Sequence, residues 1–273
     1  VIDARQPTMG PVSIEGFYDE AFAVPGMLGC IREADRDGAE AHIIACFDDT
    51  GLDAARAIAK APVIGIGEAG FHMASLVAAR FAVVTTLGVS IVPIEHNLKK
   101  YGLAERCTRV RAAEVPVLAL EERNTDALAK ISTEITAAIR DDRAEAIVLG
   151  CAGMADLAAE LATTHGLPVI DGVAAAVTLA ESLVRVGLTA SPLGAHSLDG
   201  GPPRRLLRFP LPDRHRPPAI AKQADPWCRS PGVQASRAGG RRPLPPLPRH
   251  RRHAFARLVP SRARQDHLGL LRH

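Results

Sequence analysis

The chain has 273 residues, and its apolar fraction of 47% is enough to bury a sizeable core in one large domain or two small ones. Residues 1–190 carry 16 Lys+Arg against 26 Asp+Glu, whereas residues 191–273 carry 17 against 4, so the net charge of +3 describes neither part. The sequence contains no run of 18 uncharged apolar residues and no secretory leader pattern, which argues against a membrane protein, and we expect a cytoplasmic one.

Between residues 40 and 187, short apolar runs alternate with longer amphipathic stretches. This alternation is typical of the strands and crossover helices of a parallel sheet, so we predict an α/β fold. The predicted strands cover residues 41–47, 62–67, 81–86, 108–114, 145–151 and 168–172. The predicted helices cover residues 15–36, 50–59, 68–78, 91–101, 124–141, 153–164 and 172–187.

The two ends of the chain depart from this pattern. The chain begins at Val1 and soon reaches the loop-like segment PTMGPVSIEG, so we expect the opening strand of the sheet to be missing. After residue 190 the sequence holds 14 of the 21 prolines, and no helical or strand period continues through it. We therefore predict a disordered, basic, Pro/Arg-rich tail over residues 190–273.

Three origins of this tail are open. PLPPLP is a polyproline II pattern that SH3-like partners bind, and arginine favours the phosphates of nucleic acids. Aromatic residues that would stack on bases are scarce, however, and the change of composition is abrupt. We favour an out-of-frame translation of GC-rich DNA, because folded sequences agree across their local and global signals. We expect no nucleic-acid partner.

Two cysteines occupy matching places in the pattern. Cys46 and Cys151 each end an apolar run and precede a helix-like stretch, where unpaired N–H groups favour a thiolate. Pro62 follows the first cysteine by 16 residues and Pro168 follows the second by 17, so the two segments form a coarse repeat. The alternative is that each cysteine is a small buried hydrophobe. The repeat favours equivalent chemical roles.

The residues at other strand ends are further candidates, because ligands of open α/β sheets bind beyond the carboxyl ends of the strands. Thr85 and Thr86 offer hydroxyl donors to a substrate carbonyl, or are ordinary β-branched strand residues. Gly150 and Gly153 let backbone N–H groups approach an anionic oxygen, or only form a tight turn. No zinc spacing occurs among the cysteines, and we expect no metal.

Three aspartates near these strand ends have two interpretations. Carboxylates beside a cysteine can orient a catalytic histidine, but no histidine is adjacent to either cysteine in the sequence. Aspartate favours helix starts, so we predict that Asp48, Asp49 and Asp171 are helix-capping or solvated residues.

Several motifs together resemble one enzyme family. ACFDDTGLDAAR, AVVTTLG, LGCAGMADL and PVIDGVAAAV, with GPVSIEGFYDE upstream, are similar to the aspartate/glutamate/hydantoin racemase superfamily, and most closely to its hydantoin and allantoin racemases. The resemblance covers about residues 7–190. The family opens with a strand that ends in an Asn-Pro-Asn-Thr-like segment, and nothing in this sequence matches it.

The resemblance implies two pseudo-symmetric α/β lobes with the active site in the cleft between them. Residues 1–85 and 168–189 would form the first lobe, and residues 86–167 the second. Cys46 and Cys151 match the two catalytic cysteines of the family. Members of this group are oligomers without a cofactor, so we expect a homo-oligomer that needs none. The substrate-binding positions would be Phe47, Thr85, Thr86, Gly150, Ala152 and Gly153.

The expected reaction inverts a stereocentre beside a carbonyl group of a small molecule, at C5 of a hydantoin or of allantoin. Inversion needs a base on one face of the carbon and an acid on the other, and two opposed cysteines meet that need. Backbone N–H groups near Cys151 and the two threonines would hold the enolate oxygen. The alternatives are an aspartate or glutamate racemase, an arylmalonate-type decarboxylase that uses one cysteine, and an inactive remnant or ligand-binding protein.

Overall fold

The computed structural model describes residues 1–122, 125–193 and 255–258, and these form an α/β fold as the sequence predicts. The strands are β1 (Ile2–Arg5), β2 (His42–Ile44), β3 (Val63–Gly65), β4 (Phe81–Thr85), β5 (Cys107–Ala112), β6 (Ala146–Gly150), β7 (Val169–Asp171) and β8 (Phe255–Leu258). The α-helices are α1 (Phe17–Arg36), α2 (Leu52–Ile58), α3 (Ile66–Val77), α4 (Ile91–Lys100), α5 (Thr125–Asp141), α6 (Ala158–His165) and α7 (Gly172–Arg185). Short 3-10 helices lie at Gly88–Ser90, Ala104–Arg106, Val117–Glu122 and Ala152–Leu157.

The strands form two four-stranded sheets. The second sheet has the order β5-β4-β6-β7 and every pairing in it is parallel, with Val83 beside Val148 at its centre. The first has the order β1-β8-β2-β3, and its β2 and β3 are parallel. The carboxyl ends of β2 and β6 carry the two cysteines of interest, so each sheet supplies one of them.

Strand pairing departs from the predicted lobe boundaries. Residues 81–85 and 168–189 were predicted in the first lobe, yet β4 pairs with β5 and β6, and β7 pairs with β6. Helix α7 contacts β2 and β3 of one sheet and β6 and β7 of the other. It therefore packs against both sheets, and sequence order alone did not reveal this.

The termini also differ from expectation. A strand forms at Ile2–Arg5, where the sequence left little room for one, and it pairs antiparallel with β8. β8 also pairs antiparallel with β2, in a region where no strand was predicted. The remainder of the predicted disordered tail, residues 194–254 and 259–273, lies outside the described residues.

The helices bury the faces that their sequence periodicity predicts. In α5, Ile131 and Ile135 are fully buried against the second sheet, and each contributes roughly 1.5–3 kcal/mol through burial. In α3, a Cβ at Gly70 would lie 2.9 Å from Val148 Cγ1, so glycine lets this helix lie close to the sheet. Among the residues that the structure describes, no helix is long and apolar enough to cross a membrane.

Candidate active site

Cys46 lies in a tight turn between β2 and α2. Its carbonyl oxygen accepts a 3.0 Å hydrogen bond from the Asp49 N–H, and Asp49 has a φ of 51°. Gly51 follows with a φ of 70°, and a Cβ there would lie 2.6 Å from Met27 Cε. The turn therefore needs glycine both for its left-handed backbone and for its contact with α1. These constraints fix the backbone of the turn that carries Cys46.

The surroundings of Cys46 favour the neutral thiol. Burial and the charges of Asp48 and Asp49 raise the pKa of Cys46 to about 12. Two hydrogen bonds oppose this shift. One comes from the backbone N–H of Asp48, and the other joins the Cys46 sulfur to Thr50 Oγ1 over 3.3 Å.

Cys151 lies in a matching turn after β6. Its carbonyl oxygen accepts a 3.1 Å hydrogen bond from the Met154 N–H, and its sulfur accepts one from the Gly153 N–H. Burial and the charges of Asp48 and Glu15 raise the pKa of Cys151 to about 11, and the hydrogen bond from the Gly153 N–H opposes this shift. The Cys151 turn therefore repeats the backbone hydrogen bonds of the Cys46 turn residue for residue.

The two cysteines pack against different cores, and one carboxylate raises the pKa of both thiols. The Cys46 side chain packs against the core around Met27, and the Cys151 side chain packs against the core around α5. Nevertheless the carboxylate of Asp48 acts electrostatically on both sulfurs. The pairing of the two thiols across one site stays a prediction.

The two aspartates that follow Cys46 do different things. Asp49 accepts hydrogen bonds from the Gly67 and Glu68 N–H groups, at 2.9 and 2.8 Å, and so caps the first turn of α3. The Tyr101 hydroxyl donates to it as well, at 2.8 Å. Burial raises the pKa of Asp49 to about 7, and these donors oppose the shift. The capping prediction is confirmed for Asp49, although the helix that it caps is α3 rather than the next one in the chain.

Asp48 is buried and is no helix cap, so the capping prediction is wrong for it. Ser90 Oγ lies 3.4 Å from its Oδ2, and Asn97 Nδ2 donates to its backbone oxygen over 2.7 Å. Burial first, and then the charge of Glu20, raises the pKa of Asp48 to about 7. Its charge raises the pKa of both thiols, a feature that sequence reasoning missed.

The other predicted substrate contacts have mixed surroundings. The Thr85 hydroxyl donates to the Gly150 carbonyl over 3.0 Å, so this proton is already used within the fold. A Cβ at Gly150 would lie 2.7–3.0 Å from atoms of Thr85, so close strand packing requires this glycine. The Phe47 ring is buried and meets Phe71 edge to face, with ring centres 5.4 Å apart. The Phe47 ring is thus part of the core rather than of an exposed wall.

The remaining predicted positions lie beside Cys151 or at the end of β4. Ala152 begins the 3-10 helix after Cys151 and packs against the core that contains Phe71. A Cβ at Gly153 would lie 3.7 Å from the Cys151 sulfur. Thr86 follows β4 and is 3% exposed. Thr85, Gly150, Cys151 and Gly153 are therefore brought together, as the strand-end argument predicts.

Acidic residues from the motif GPVSIEGFYDE reach this region, which the sequence did not reveal. Glu15 accepts a hydrogen bond from the Val117 N–H over 3.4 Å, and its charge raises the pKa of Cys151. Glu20 Oε1 is buried without a hydrogen-bond partner, and burial raises the pKa of Glu20.

Asp171 accepts from the Val173 and Ala174 N–H groups, so its predicted capping role is confirmed. Over the described ranges, no cluster of three His, Cys, Asp or Glu side chains fits a metal ion.

Comparison with known proteins gives the class of this protein. The family model "Asp/Glu/Hydantoin racemase" matches residues 1–180. The chain is 48% identical over 196 residues to a hydantoin racemase of Rhizobium meliloti, a match that covers 72% of this chain and 81% of the relative. It is 42% identical over 192 residues to one from Pseudomonas sp. (strain NS671), covering 70% of this chain and 77% of the relative.

Solved structures agree with the sequence comparison. An allantoin racemase from Klebsiella pneumoniae superposes with a TM-score of 0.68 at 46% identity, over 70% of this chain and 78% of that one. One from Pseudomonas fluorescens gives a TM-score of 0.65 at 38% identity, over 70% and 81%. The chain belongs to the Asp/Glu/hydantoin racemase family. Its enzyme class is therefore that of the isomerases.

Proposed function

We propose that this protein racemises the C5 stereocentre of a five-membered cyclic ureide, a hydantoin or allantoin, with Cys46 and Cys151 as base and acid. The observation that carries the proposal is the pair of matched turns, each of which holds one cysteine just after a strand of one of the two sheets. Similarity to hydantoin racemases at 42–48% identity and to allantoin racemases at 38–46% supports the substrate class.

In this mechanism one cysteine, as thiolate, removes the C5 proton and the other, as thiol, delivers a proton to the opposite face. One proton leaves the carbon and one arrives, so the reaction consumes no redox equivalent. Because the pKa of each thiol lies above its usual range, the thiolate is a strong base once it forms, which suits abstraction from carbon. The ureide ring itself acidifies the C5 hydrogen.

The developing enolate needs hydrogen-bond donors. The Thr85 hydroxyl already donates to Gly150, so we assign this role to Thr86 and to backbone N–H groups of the Cys151–Gly153 turn. The acidic groups that act on the thiols also affect which substrate can bind. Asp48 and Glu15 would repel a dicarboxylate substrate, whereas a neutral ring carries no such charge. The charge of the site thus favours a ureide over aspartate or glutamate.

The direct test uses a single enantiomer of a 5-substituted hydantoin in D₂O. Loss of optical rotation with one deuterium incorporated at C5, beyond a blank without protein, is the expected result, and allantoin is assayed in parallel. The Cys30→Ser variant serves as a control, because Cys30 lies in α1 and its pKa responds to Glu33 and Arg5 rather than to Asp48. Racemisation of aspartate or glutamate alone would overturn the substrate assignment, and release of CO₂ from an arylmalonate would indicate a decarboxylase.

Two further expectations from the sequence stay predictions. Assembly into a homo-oligomer is tested by sedimentation equilibrium of the purified protein. A cytoplasmic location is tested by fractionation of the cells that produce it.

A further inference from the structure

The 3-10 helix Val117–Glu122 lies against the turn that carries Cys151. It contacts the 3-10 helix Ala152–Leu157, which follows this cysteine. A Cβ at Gly153 would lie 3.2 Å from Leu120 Cδ1 and 3.7 Å from the Cys151 sulfur. Because one added atom would touch both groups, the Leu120 methyl group and the Cys151 sulfur border the same small space.

Leu120 is only partly buried. It packs against the core that contains Ile131 and Ile135, and so does Cys151. The rest of Leu120 is accessible to solvent, as are parts of Cys151 and Gly153. Ligand sites are lined mainly by apolar side chains around a few reactive or polar groups. A leucine methyl group beside a partly exposed sulfur fits that description.

Contacts with two distant segments hold the backbone that leads to Leu120. The Val115 N–H donates to the Thr86 carbonyl oxygen over 3.0 Å, and the Val117 N–H donates to the Glu15 carboxylate over 3.4 Å. Thr86 follows β4, and Glu15 precedes α1. The position of Leu120 beside the Cys151 turn is therefore set by the fold and not by the 3-10 helix alone.

We infer that Leu120 limits the size of the C5 substituent that the enzyme accepts, by bounding the space beside the Cys151 sulfur. The inference rests on the proposed function, in which C5 exchanges a proton with that sulfur. Proton transfer requires close approach, so the groups attached to C5 enter the space that Leu120 borders. A small substituent fits there, whereas a bulky one meets the leucine methyl groups. Leu120 is thus a specificity-determining residue.

The first test needs no turnover. Wild type and Leu120→Ala are alkylated with iodoacetamide and with the bulkier N-benzyliodoacetamide, and peptide mass spectrometry gives the rate at each cysteine. Both reagents attack the same thiolate, so the ratio of the bulky to the small rate reports space and not ionisation. We expect this ratio at Cys151 to rise about threefold or more in Leu120→Ala and to fall in Leu120→Phe.

Controls separate added space from a loosened fold. Cys46 packs against a different core, so its ratio should stay unchanged in both Leu120 variants. Leu118→Ala, at an exposed position of the same 3-10 helix, should leave the ratio at Cys151 unchanged. An unchanged ratio at Cys151 in Leu120→Ala, or an equal rise at Cys46, would overturn the inference. So would a Cys151 that neither reagent reaches in any variant.

A second variant keeps the test available if Leu120→Ala does not fold. Gly153→Ala places a methyl group in the space between Leu120 and the sulfur, and Gly153 has no positive φ that would strain an alanine. The bulky reagent should then label Cys151 about threefold more slowly relative to the small one. A ratio equal to that of wild type would contradict the inference.

The second test uses the racemase assay itself. For Leu120→Ala, kcat/KM for 5-benzylhydantoin relative to 5-methylhydantoin should rise about tenfold, whereas Leu118→Ala should keep the wild-type preference. An active Leu120→Ala enzyme with unchanged preference would overturn the inference. If the wild type racemises no hydantoin, the proposed function fails, and the labelling ratio still decides whether Leu120 bounds the space beside Cys151.

Discussion

The turn after β2 and the turn after β6 share their backbone hydrogen bonds and differ in their side chains. In each, the cysteine carbonyl accepts from the N–H three residues later and the sulfur accepts from the N–H two residues later. The residue two positions after the cysteine is Asp48 in one turn and Gly153 in the other. A matched pair of thiols thus stands in an asymmetric electrostatic setting, in which one turn supplies the charge that acts on both.

The largest effect should come from breaking the pair itself. Cys46→Ser and Cys151→Ser should each abolish racemisation, a loss of about 10²–10⁴-fold or more, because a serine hydroxyl cannot replace either the base or the acid near neutral pH. Polarimetry with a single hydantoin enantiomer measures this. Normal turnover by either single variant would refute the two-base scheme, and Cys30→Ser should retain wild-type activity.

The acidic residue in the first turn should make stability depend on pH. The pKa of Asp48 in the folded protein is about 7, above the ordinary value of 3.8, so the folded state binds more protons between these values. The contribution of Asp48 to the free energy of unfolding is therefore complete below about pH 4 and lost as the pH rises to about 7. Across this window wild type should lose about 2–4 kcal/mol more than Asp48→Asn.

Urea unfolding of both proteins at pH 4.5 and pH 7.5 measures this difference, since the carboxyl groups that do not interact with Asp48 contribute equally to both. Parallel losses in the two proteins would show that Asp48 titrates normally.

A substitution at the residue that precedes Cys151 should change the free energy of unfolding by a smaller amount. Ala45 precedes Cys46, whereas Gly150 precedes Cys151 and has no room for a Cβ beside Thr85. Gly150→Ala should lower the free energy of unfolding by about 1–3 kcal/mol, because the central strands would have to move apart. Gly29→Ala in α1, where a Cβ would meet nothing within 4 Å, is the matched control and should be neutral or slightly stabilising.

The smallest effect should come from the hydroxyl that only one turn provides. Thr50→Val removes the partner of the Cys46 sulfur and so raises the pKa of Cys46. A hydrogen bond of this kind contributes about 0.5–1.5 kcal/mol, so iodoacetamide should label Cys46 about threefold more slowly. Thr50→Ser should restore the rate, and Cys151 should be unaffected. Equal slowing at both cysteines would mean that the whole turn had moved.

The sequence predicted the features that depend on local periodicity. The strands ending near Cys46 and Cys151, the buried face of α5 with Ile131 and Ile135, and the cap at Asp171 follow from patterns within one segment. The features that it missed depend on contacts between distant segments. Asp48 meets Ser90 and Asn97, which are more than 40 residues away.

Two other misses have the same origin. The Thr85 hydroxyl donates to the carbonyl oxygen of Gly150, 65 residues later in the chain, and this hydrogen bond follows from strand register rather than from the residue type. The pairing of β1 with β8 joins the two ends of the chain, and no local pattern in either segment predicts it.

The hydrogen bonds of Asp49 limit how this enzyme can be redesigned. Asp49 fastens the loop of Cys46 to the start of α3 and to Tyr101, while Gly51 rests on Met27. An insertion or deletion between residues 45 and 52 would misalign all of these contacts at once. A mutant library intended to broaden the range of accepted compounds should therefore keep the length of this loop constant and vary the side chains around it.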